Sequence, residues 1–234
     1  SFRASPRKGH VERVKRIYGY LSKVQHATIR ICTGDPDFSD IKEHDYDWEY
    51  SVYGNVKEVI PDDIPTPLGK QVTLVTYVDA NLYHDLITGR SVTGILHLVN
   101  GTPFDWYSKK QNTVETATYG SEFVAARIAV DQIIDHRMTL RYLGVPINQK
   151  TYMFGDNKTV VDSSITPHAK LHKRHTALSF HRVREAIASK IIIFEHINGH
   201  LNPADIVSKH WGYQQVKTML KTLLFYEGDT YDLI

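Results

Sequence analysis

Cysteine is almost absent from this sequence. Cys32 is the single cysteine among 234 residues, which excludes an intrachain disulfide and a zinc site built from several cysteines. A lone thiol is typical of proteins in reducing compartments, and we expect an intracellular location. The sequence begins on Ser1 rather than on methionine, which indicates a piece of a longer protein.

Long apolar segments are also missing. No run approaches the roughly 20 residues that a membrane-spanning helix needs, and the first ten residues, SFRASPRKGH, lack the apolar centre of a secretory signal. A strong charge of either sign is absent as well, because 28 basic and 26 acidic residues leave a net charge of +2. Any affinity for nucleic acid must therefore come from local basic patches, and a role at a membrane is not expected.

The chain divides into two regions of different character. Apolar residues recur at helical spacing from Gly9 to Val24 with basic residues between them, which predicts a basic amphipathic helix. Residues 36–70 are first acidic and aromatic and then interrupted by prolines, which is typical of an irregular connector. We therefore assign 1–70 to an N-terminal segment and 71–234 to the main domain.

The main domain shows alternating strand and helix patterns. Three β-branched and aromatic runs come first, and a long helix and two further strands with intervening helices follow. The predicted strands are 72–80, 91–100, 102–111, 151–156 and 190–197. The predicted helices are 117–143, a short one directly after 156, 174–189, 203–211 and 214–225. This order predicts an α/β fold with a five-stranded mixed sheet whose first three strands are antiparallel.

Four acidic residues stand where predicted elements begin or end. Asp79 is the hardest to explain as structural, because an isolated carboxylate in an apolar strand is strongly destabilising. The other three occupy comparable places and are Glu122, Asp156 and Asp205. Carboxylates that converge repel each other unless divalent cations bind them, and an all-oxygen site selects Mg²⁺ or Mn²⁺. The four acids therefore predict a two-metal site suited to phosphoryl displacement.

Each acid also has a simpler structural interpretation. Asp156, in FGDNK, is equally suited to cap the helix that follows it. Asp205, in NPAD, is suited to the first turn of a helix, where a negative charge favours the helix dipole. An isolated glutamate such as Glu122 is by default an exposed helix residue. The spacing of the acids alone leaves both interpretations open.

The same acids belong to an ordered series of motifs. The series runs from about residue 72 to 211 and reads YVDANLYHD, LITGRSVTGIL, DWYSKKQNTVETATYGSEFVAAR, FGDNKTVV, HKRHTALSFHRVREAI and NPADIVSKHW. It resembles the ribonuclease H domain of copia-type LTR-retrotransposon polyproteins. The segment KGHVERVKRIYGYL further resembles a helix near the end of the family's reverse transcriptase region. The resemblance implies a ribonuclease H-like fold preceded by a thumb or connection segment.

This resemblance implies a metal-dependent endonuclease that hydrolyses the RNA strand of RNA/DNA hybrids during reverse transcription. Glu115 competes with Glu122 for one site position but lacks the family context EFVA. The implied cofactors are two Mg²⁺ ions, with Mn²⁺ as an alternative, and the implied partners are the hybrid and the remainder of the polyprotein. The implied location is the cytoplasm, within virus-like particles. The implied catalytic metal ligands are Asp79, Glu122, Asp156 and Asp205.

Further site residues are predicted around these acids. His200, in HINGHLNPAD, matches a loop histidine that in ribonuclease H enzymes helps to protonate the leaving group or to release product. Basic residues near the acids are candidate phosphate contacts, although a solvated charged face explains each of them as well. We expect Trp106 and Tyr107 to pack in the sheet rather than to stack on bases. The candidate phosphate contacts are Lys109, Lys110, Lys170, Lys173, Arg174 and His175.

Departures from the family pattern leave two other functions open. Asn81 and Leu82 replace an aspartate and a tryptophan of the family, and Ala177 and Ser179 stand where an acid and an arginine are expected. None of these changes removes a predicted metal ligand. One alternative is a nuclease of the same architecture that acts on DNA, such as an integrase, although the His/Cys zinc region of integrases is missing. The other is a catalytically degenerate domain that binds hybrids or supports a polymerase.

Overall fold

Five strands and five α-helices lie in the part of the chain described by the computed structural model. That part comprises residues 6–23, 28–29, 31–41, 44, 46–148, 150–171, 173–211, 215, 219 and 223. The strands are β1 (Leu74–Asp85), β2 (Arg90–Val99), β3 (Thr102–Lys110), β4 (Thr151–Gly155) and β5 (Ile192–His196). The helices are α1 (Lys8–Lys23), α2 (Thr118–Tyr142), α3 (Lys158–Ile165), α4 (Ala177–Ala188) and α5 (Asp205–Ser208).

The strands form one mixed sheet in the order β3-β2-β1-β4-β5. β2 is antiparallel to both β1 and β3, whereas β4 is parallel to β1 and to β5. This is the ribonuclease H-like arrangement that the sequence predicts, so the predicted fold class is confirmed. Because β1 and β4 are parallel neighbours, residues at their carboxyl ends meet at one edge of the sheet.

The main core lies between one face of the sheet and the helices. Apolar residues of β1 and β2, such as Val78 and Ile95, pack there against α2 and α4. α2 fills this layer because Phe123, Ala126 and Val130 recur at helical spacing, and each is at most 1% exposed. Burial of this face fixes α2 against β1 and so fixes the direction of the side chains in its first turns.

The other face of the sheet is covered by the N-terminal segment. Its buried cluster consists of Val75, Leu96, Leu98 and Phe154, and Phe38 packs against it. The ring of Phe38 stacks on Tyr152 with centroids 4.1 Å apart. The irregular connector therefore packs directly on the sheet, and the proposed domain boundary at residue 70 stays a prediction.

One predicted feature at the edge of this fold differs in the structure, and another falls largely on residues that the structure does not describe. The first strand, predicted to end at residue 80, continues to Asp85 through a register shift after Asn81, where Tyr83 adopts a φ of 52°. The helix predicted at 214–225 lies largely outside the described residues. Among the helices that the structure describes, none is long and apolar enough to cross a membrane.

Candidate active site

Two aspartates lie where the parallel pairing of β1 with β4 ends. Val78 of β1 is paired with Gly155, the last residue of β4. The residues that follow them, Asp79 and Asp156, therefore lie side by side. Asp79 is only 1% exposed, and Asp156 is partly buried. The parallel register of the two strands therefore brings together two carboxylates that are 77 positions apart in sequence (156 − 79).

A third aspartate is delivered by α5, which crosses β2 at very short range. A Cβ atom at Gly94 would lie 2.6 Å from Cβ of Ser208 and 2.8 Å from the carbonyl oxygen of Ala204. Only glycine allows this approach, because the obstructing atoms include backbone that cannot rotate away. The approach places Asp205 at the site, and carboxylate oxygens of Asp79, Asp156 and Asp205 lie within 4.8 Å of one another.

The fourth predicted acid enters from α2, on the opposite side of the sheet. Glu122 is 7% exposed, which excludes the default interpretation of an exposed helix residue. The backbone N–H of Ala80, the residue after Asp79, favours the ionised form of the Glu122 carboxylate. The competing Glu115 is also buried, but its Oε2 lies 2.9 Å from Nε2 of His175. The structure therefore couples Glu122, and not Glu115, to the strand that carries Asp79.

The interpretation of Asp156 as a helix cap is wrong. The N-cap of α3 is the next residue, Asn157, whose side chain accepts a hydrogen bond from the backbone N–H of Val160. Asp205, in contrast, does lie in the first turn of α5. Since the cap is supplied by its neighbour, the Asp156 carboxylate is left to face the other acids.

The acids are held in an environment that disfavours their charge. Burial, together with the charges of Asp79 and Asp156, raises the pKa of Glu122 well above its usual range. Burial and the charge of Asp79 raise the pKa of Asp156 as well. Burial raises the pKa of Asp205 to about 6 against the opposing hydrogen bond from Lys209. Such crowding of carboxylates is what a bound divalent cation relieves.

Lys209 and Ser208 are site residues that the sequence analysis missed. The Lys209 ammonium lies 2.5 Å from Oδ1 of Asp205 and 3.5 Å from Oδ1 of Asp79, and the Ser208 hydroxyl donates to Oδ2 of Asp79. Although burial opposes the charge, the contacts with Asp205 and Asp79 raise the pKa of Lys209. The ammonium therefore neutralises part of the negative charge of the cluster. The available sequence signal was the helical spacing of four residues between Asp205 and Lys209.

Replacing Lys209 with methionine is expected to tighten Mg²⁺ binding by about tenfold, because a cation that competes for the same carboxylates is removed. The same change should lower the thermal midpoint of the metal-free protein, since Asp79 and Asp205 lose their counter-charge. Calorimetric titration with Mg²⁺ and thermal unfolding in EDTA measure the two effects. The exposed Lys57→Met is the control and should change neither; unchanged Mg²⁺ affinity in Lys209→Met would contradict the competition.

Two histidines, one at the end of β5 and one in the loop before α5, have different surroundings. His200 is exposed on a short 3-10 turn, and its ring makes no hydrogen bond or ion pair with the part of the chain that the structure describes. Nε2 of His196 lies 3.1 Å from the backbone carbonyl oxygen of Asp156. The predicted role of His200 stays a prediction. The histidine that contacts the acid cluster is His196, through the backbone carbonyl oxygen of Asp156.

Three of the predicted phosphate contacts line one groove beside β3, α2 and α4. They are Lys109, Lys110 and His175. Two of them already have acidic partners, because Lys110 Nζ lies 2.6 Å from Asp85 and His175 pairs with Glu115. The remaining three predicted contacts lie outside this lining, with Lys170 and Arg174 exposed and Lys173 Nζ 3.4 Å from the Thr116 hydroxyl.

The expectation that Trp106 packs in the sheet is wrong. Its side chain is 60% exposed, although Tyr107 packs against the main core as expected. Trp106 is paired with Leu96 and lies at the edge strand β3 on the face opposite the helices. The described part of the N-terminal segment leaves this end of the face uncovered.

Comparisons with known proteins find sequence similarity to polyproteins of plant transposons. No protein-family model matches the chain. The retrovirus-related Pol polyprotein from transposon TNT 1-94 of Nicotiana tabacum is 28% identical over 142 residues, which cover 60% of this chain and 10% of that relative. The chain is a relative of retrotransposon Pol polyproteins.

A second Pol polyprotein and a solved structure are also similar to this chain. The Pol polyprotein from transposon RE2 of Arabidopsis thaliana is 23% identical over 141 residues, 60% of this chain and 10% of the relative. The chain thus spans about a tenth of the length of the curated relatives it matches. The N-terminal RNase H domain of a Mycobacterium tuberculosis protein superposes with a TM-score of 0.46 and 13% identity, over 65% of this chain and 99% of that domain.

Proposed function

We propose that this chain is the ribonuclease H part of a retrotransposon Pol polyprotein and hydrolyses the RNA strand of RNA/DNA hybrids. The observation that carries the proposal is the convergence of three carboxylates, from β1, β4 and α5, within 4.8 Å at one edge of the sheet. The relation to Pol polyproteins of plant transposons supports the same assignment. In this proposal residues 1–70 belong to the end of the reverse transcriptase region and 71–234 form the nuclease.

The donor set fits a pair of Mg²⁺ or Mn²⁺ ions. All four predicted ligands offer carboxylate oxygens, the donors that these ions prefer, and the raised pKa of Asp205, Asp156 and Glu122 reports a local excess of negative charge. Asp79, Glu122, Asp156 and Asp205 are the residues that would hold the ions. Bound ions would supply Lewis-acid activation of the attacking water and stabilisation of charge on the leaving 3′-oxygen.

The remaining contacts of the site keep these ligands in position. We further assign the Glu122 carboxylate to the 2′-hydroxyl, the group that distinguishes RNA from DNA. The Ser208 hydroxyl donates to Oδ2 of Asp79 and so orients that carboxylate. The side-chain amide of Asn202 donates to the Val78 carbonyl oxygen at 3.0 Å and ties the loop before α5 to β1.

The hybrid is proposed to bind across the acid cluster and the groove lined by Lys109, Lys110 and His175. Lys170, Lys173 and Arg174 extend the positive charge along the segment between α3 and α4. Contacts of this kind bind phosphates without reading sequence, so affinity should fall steeply as salt concentration rises. The net charge of only +2 makes these local residues the main source of attraction.

Cleavage of end-labelled substrates tests the proposal directly. The wild-type chain is incubated with an RNA/DNA hybrid, duplex RNA and duplex DNA of one sequence, each in Mg²⁺, in Mn²⁺ and in EDTA. We expect cutting of the RNA strand of the hybrid alone, and only with a divalent ion, because the 2′-hydroxyl and the mixed duplex are both needed. Cutting of duplex DNA would favour the integrase-like alternative. Binding of the hybrid without cutting in either metal would favour a catalytically degenerate domain.

A further inference from the structure

A second group of metal-binding side chains lies away from the acid cluster. His97 in β2, Asp105 in β3 and His136 in α2 each offer one ligand atom, and these atoms lie within 4.8 Å of one another. His97 is paired with Thr76, three residues before Asp79 in β1, which separates the two groups by about 10 Å along the strand. His97 also lies on the helix-covered face of the sheet, where it is 2% exposed.

The two side chains nearest to each other are already spaced as ligands of one ion. Nε2 of His136 lies 3.1 Å from Oδ2 of Asp105. Ligand atoms bound at about 2.0–2.2 Å in a tetrahedral site are separated by about 3.3 Å, so this pair needs almost no movement. Nε2 of His136 is shielded from solvent and has no hydrogen-bond partner of good geometry among the described residues. A buried ring nitrogen without a partner is costly unless something binds it.

His97 is held in an orientation suited to the third position. Its Nδ1 lies 2.9 Å from the Thr76 hydroxyl, and its Nε2 lies 3.1 Å from Oε1 of Gln132. Because Oε1 of Gln132 can only accept, Nε2–H donates to it here and Nδ1 accepts from the Thr76 hydroxyl. An ion would select the other tautomer, in which Nδ1–H donates to Thr76 and Nε2 carries the lone pair, the usual way in which a partner orients a metal-bound histidine. Gln132 is then the group that an ion displaces.

We propose that His97, Asp105 and His136 form a binding site for a zinc-class divalent ion, with Nε2 of each histidine and a carboxylate oxygen as ligands. Two imidazoles and one carboxylate select Zn²⁺, Co²⁺ or Ni²⁺ over Mg²⁺, which requires oxygen donors. The Asp105 side chain is 44% exposed and gives the ion a route from solvent. The three ligands leave one position for water, while the ring of Phe104, 5.0 Å from that of His136, covers the site.

Such an ion would connect β2, β3 and α2. Asp105 is on the edge strand and is paired with His97 next to a register shift in the β2–β3 ladder. Coordination would hold this irregular part of the ladder against the helix. We therefore expect the site to stabilise the fold and to be separate from the nuclease reaction, so it does not depend on the proposed function.

Titration with Co²⁺ tests the site, because Co²⁺ bound tetrahedrally by imidazole absorbs strongly in the visible and Co²⁺ among carboxylates and water does not. The titration is performed on the Asp156→Asn protein in excess Mg²⁺, so that the acid cluster does not contribute. We expect one equivalent to bind, to be displaced by Zn²⁺, and to shift the ring-nitrogen NMR signals of His97 and His136. Zn²⁺ about 100-fold above its Kd should raise the thermal midpoint by roughly 5 °C.

Matched variants identify the ligands. His136→Gln and Asp105→Asn are expected to weaken Co²⁺ binding at least about tenfold, whereas the exposed controls His168→Gln and Asp162→Asn leave it unchanged. Gln132→Ala removes the competing hydrogen bond and should maintain or tighten binding. Circular dichroism confirms that each variant is folded. The proposal is overturned if no visible band appears, or if the band survives His136→Gln while the control variants behave as the wild type does.

Discussion

Asp156→Asn is expected to reduce cleavage of the RNA strand by at least about 10³-fold and, at the same time, to make the metal-free protein more stable. The loss of activity follows from the removal of a ligand worth several kcal/mol of transition-state stabilisation. The gain in stability follows from the raised pKa of Asp156, since burial and the charge of Asp79 disfavour its ionised form in the folded state. At neutral pH an uncharged amide avoids that penalty.

Cleavage and unfolding measurements on the same variant distinguish this expectation from simple damage to the fold. Cleavage rates are measured with saturating hybrid, thermal midpoints are measured in EDTA, and both are repeated with Mg²⁺. The variant should unfold at a higher temperature than the wild type in EDTA and should gain less from Mg²⁺. Asp162→Asn, on the exposed side of α3, should resemble the wild type throughout. An Asp156→Asn protein that retains a tenth of the activity would place Asp156 outside the reaction.

Glu58→Gln is expected to cost about 3 kcal/mol of unfolding free energy, because it leaves two buried guanidinium groups without a counter-charge. One carboxylate accepts paired hydrogen bonds from both arginines, at 2.8 and 2.9 Å from Arg137 and at 2.7 Å twice from Arg141. The Arg137 side chain is 1% exposed, so water does not replace the lost charge. Urea unfolding measures the change, and Glu49→Gln, an exposed acid of the same connector, is the control.

The same ion pair predicts a dependence of stability on pH. Although burial opposes ionisation, the hydrogen bonds from Arg137 and Arg141 lower the pKa of Glu58 to about 2, below its ordinary value of 4.5. A lowered pKa means that the stabilisation is fully present above about pH 4.5 and is lost as the pH falls toward 2. The wild type should therefore lose part of its stability over this range, and Glu58→Gln should lose less. Parallel acid titrations of the two proteins would contradict the ion pair's contribution.

The sequence was sufficient for the fold because its periodicities are local. The β-branched run around Val75 predicts β1, and the helical spacing of Phe123, Ala126 and Val130 predicts α2, so the observed bounds differ only at their ends. The amphipathic helix α1 was predicted from the same kind of pattern. It contains no buried residue in the structure. Helical spacing therefore predicted the helix but did not indicate which part of the protein packs against its apolar face.

The position of the acids was predictable to the extent that it follows from strand ends. Asp79 and Asp156 were placed together because each stands at or near the end of a predicted strand, and the parallel pairing of β1 with β4 in the structure brings them side by side. Lys209 and the connection of Glu58 to Arg137 were not predictable, because each contact joins elements whose relative orientation the sequence pattern does not specify. The orientation of α5 depends on the absence of a side chain at Gly94, a feature that carries no chemical signal of its own.

The acids of the cluster lie on elements that are far apart in sequence, and this separation affects the protein during its synthesis. Asp79 leaves the ribosome 126 residues before Asp205 and its helix (205 − 79). Contacts of such long sequence separation form only after the intervening chain is available. A nascent chain that has completed β1 to β4 can therefore pair its strands while it still lacks a full set of ligands. If the chain has the proposed activity, the emergence of α5 would set the moment at which the growing chain can bind its metal ions and cut a hybrid.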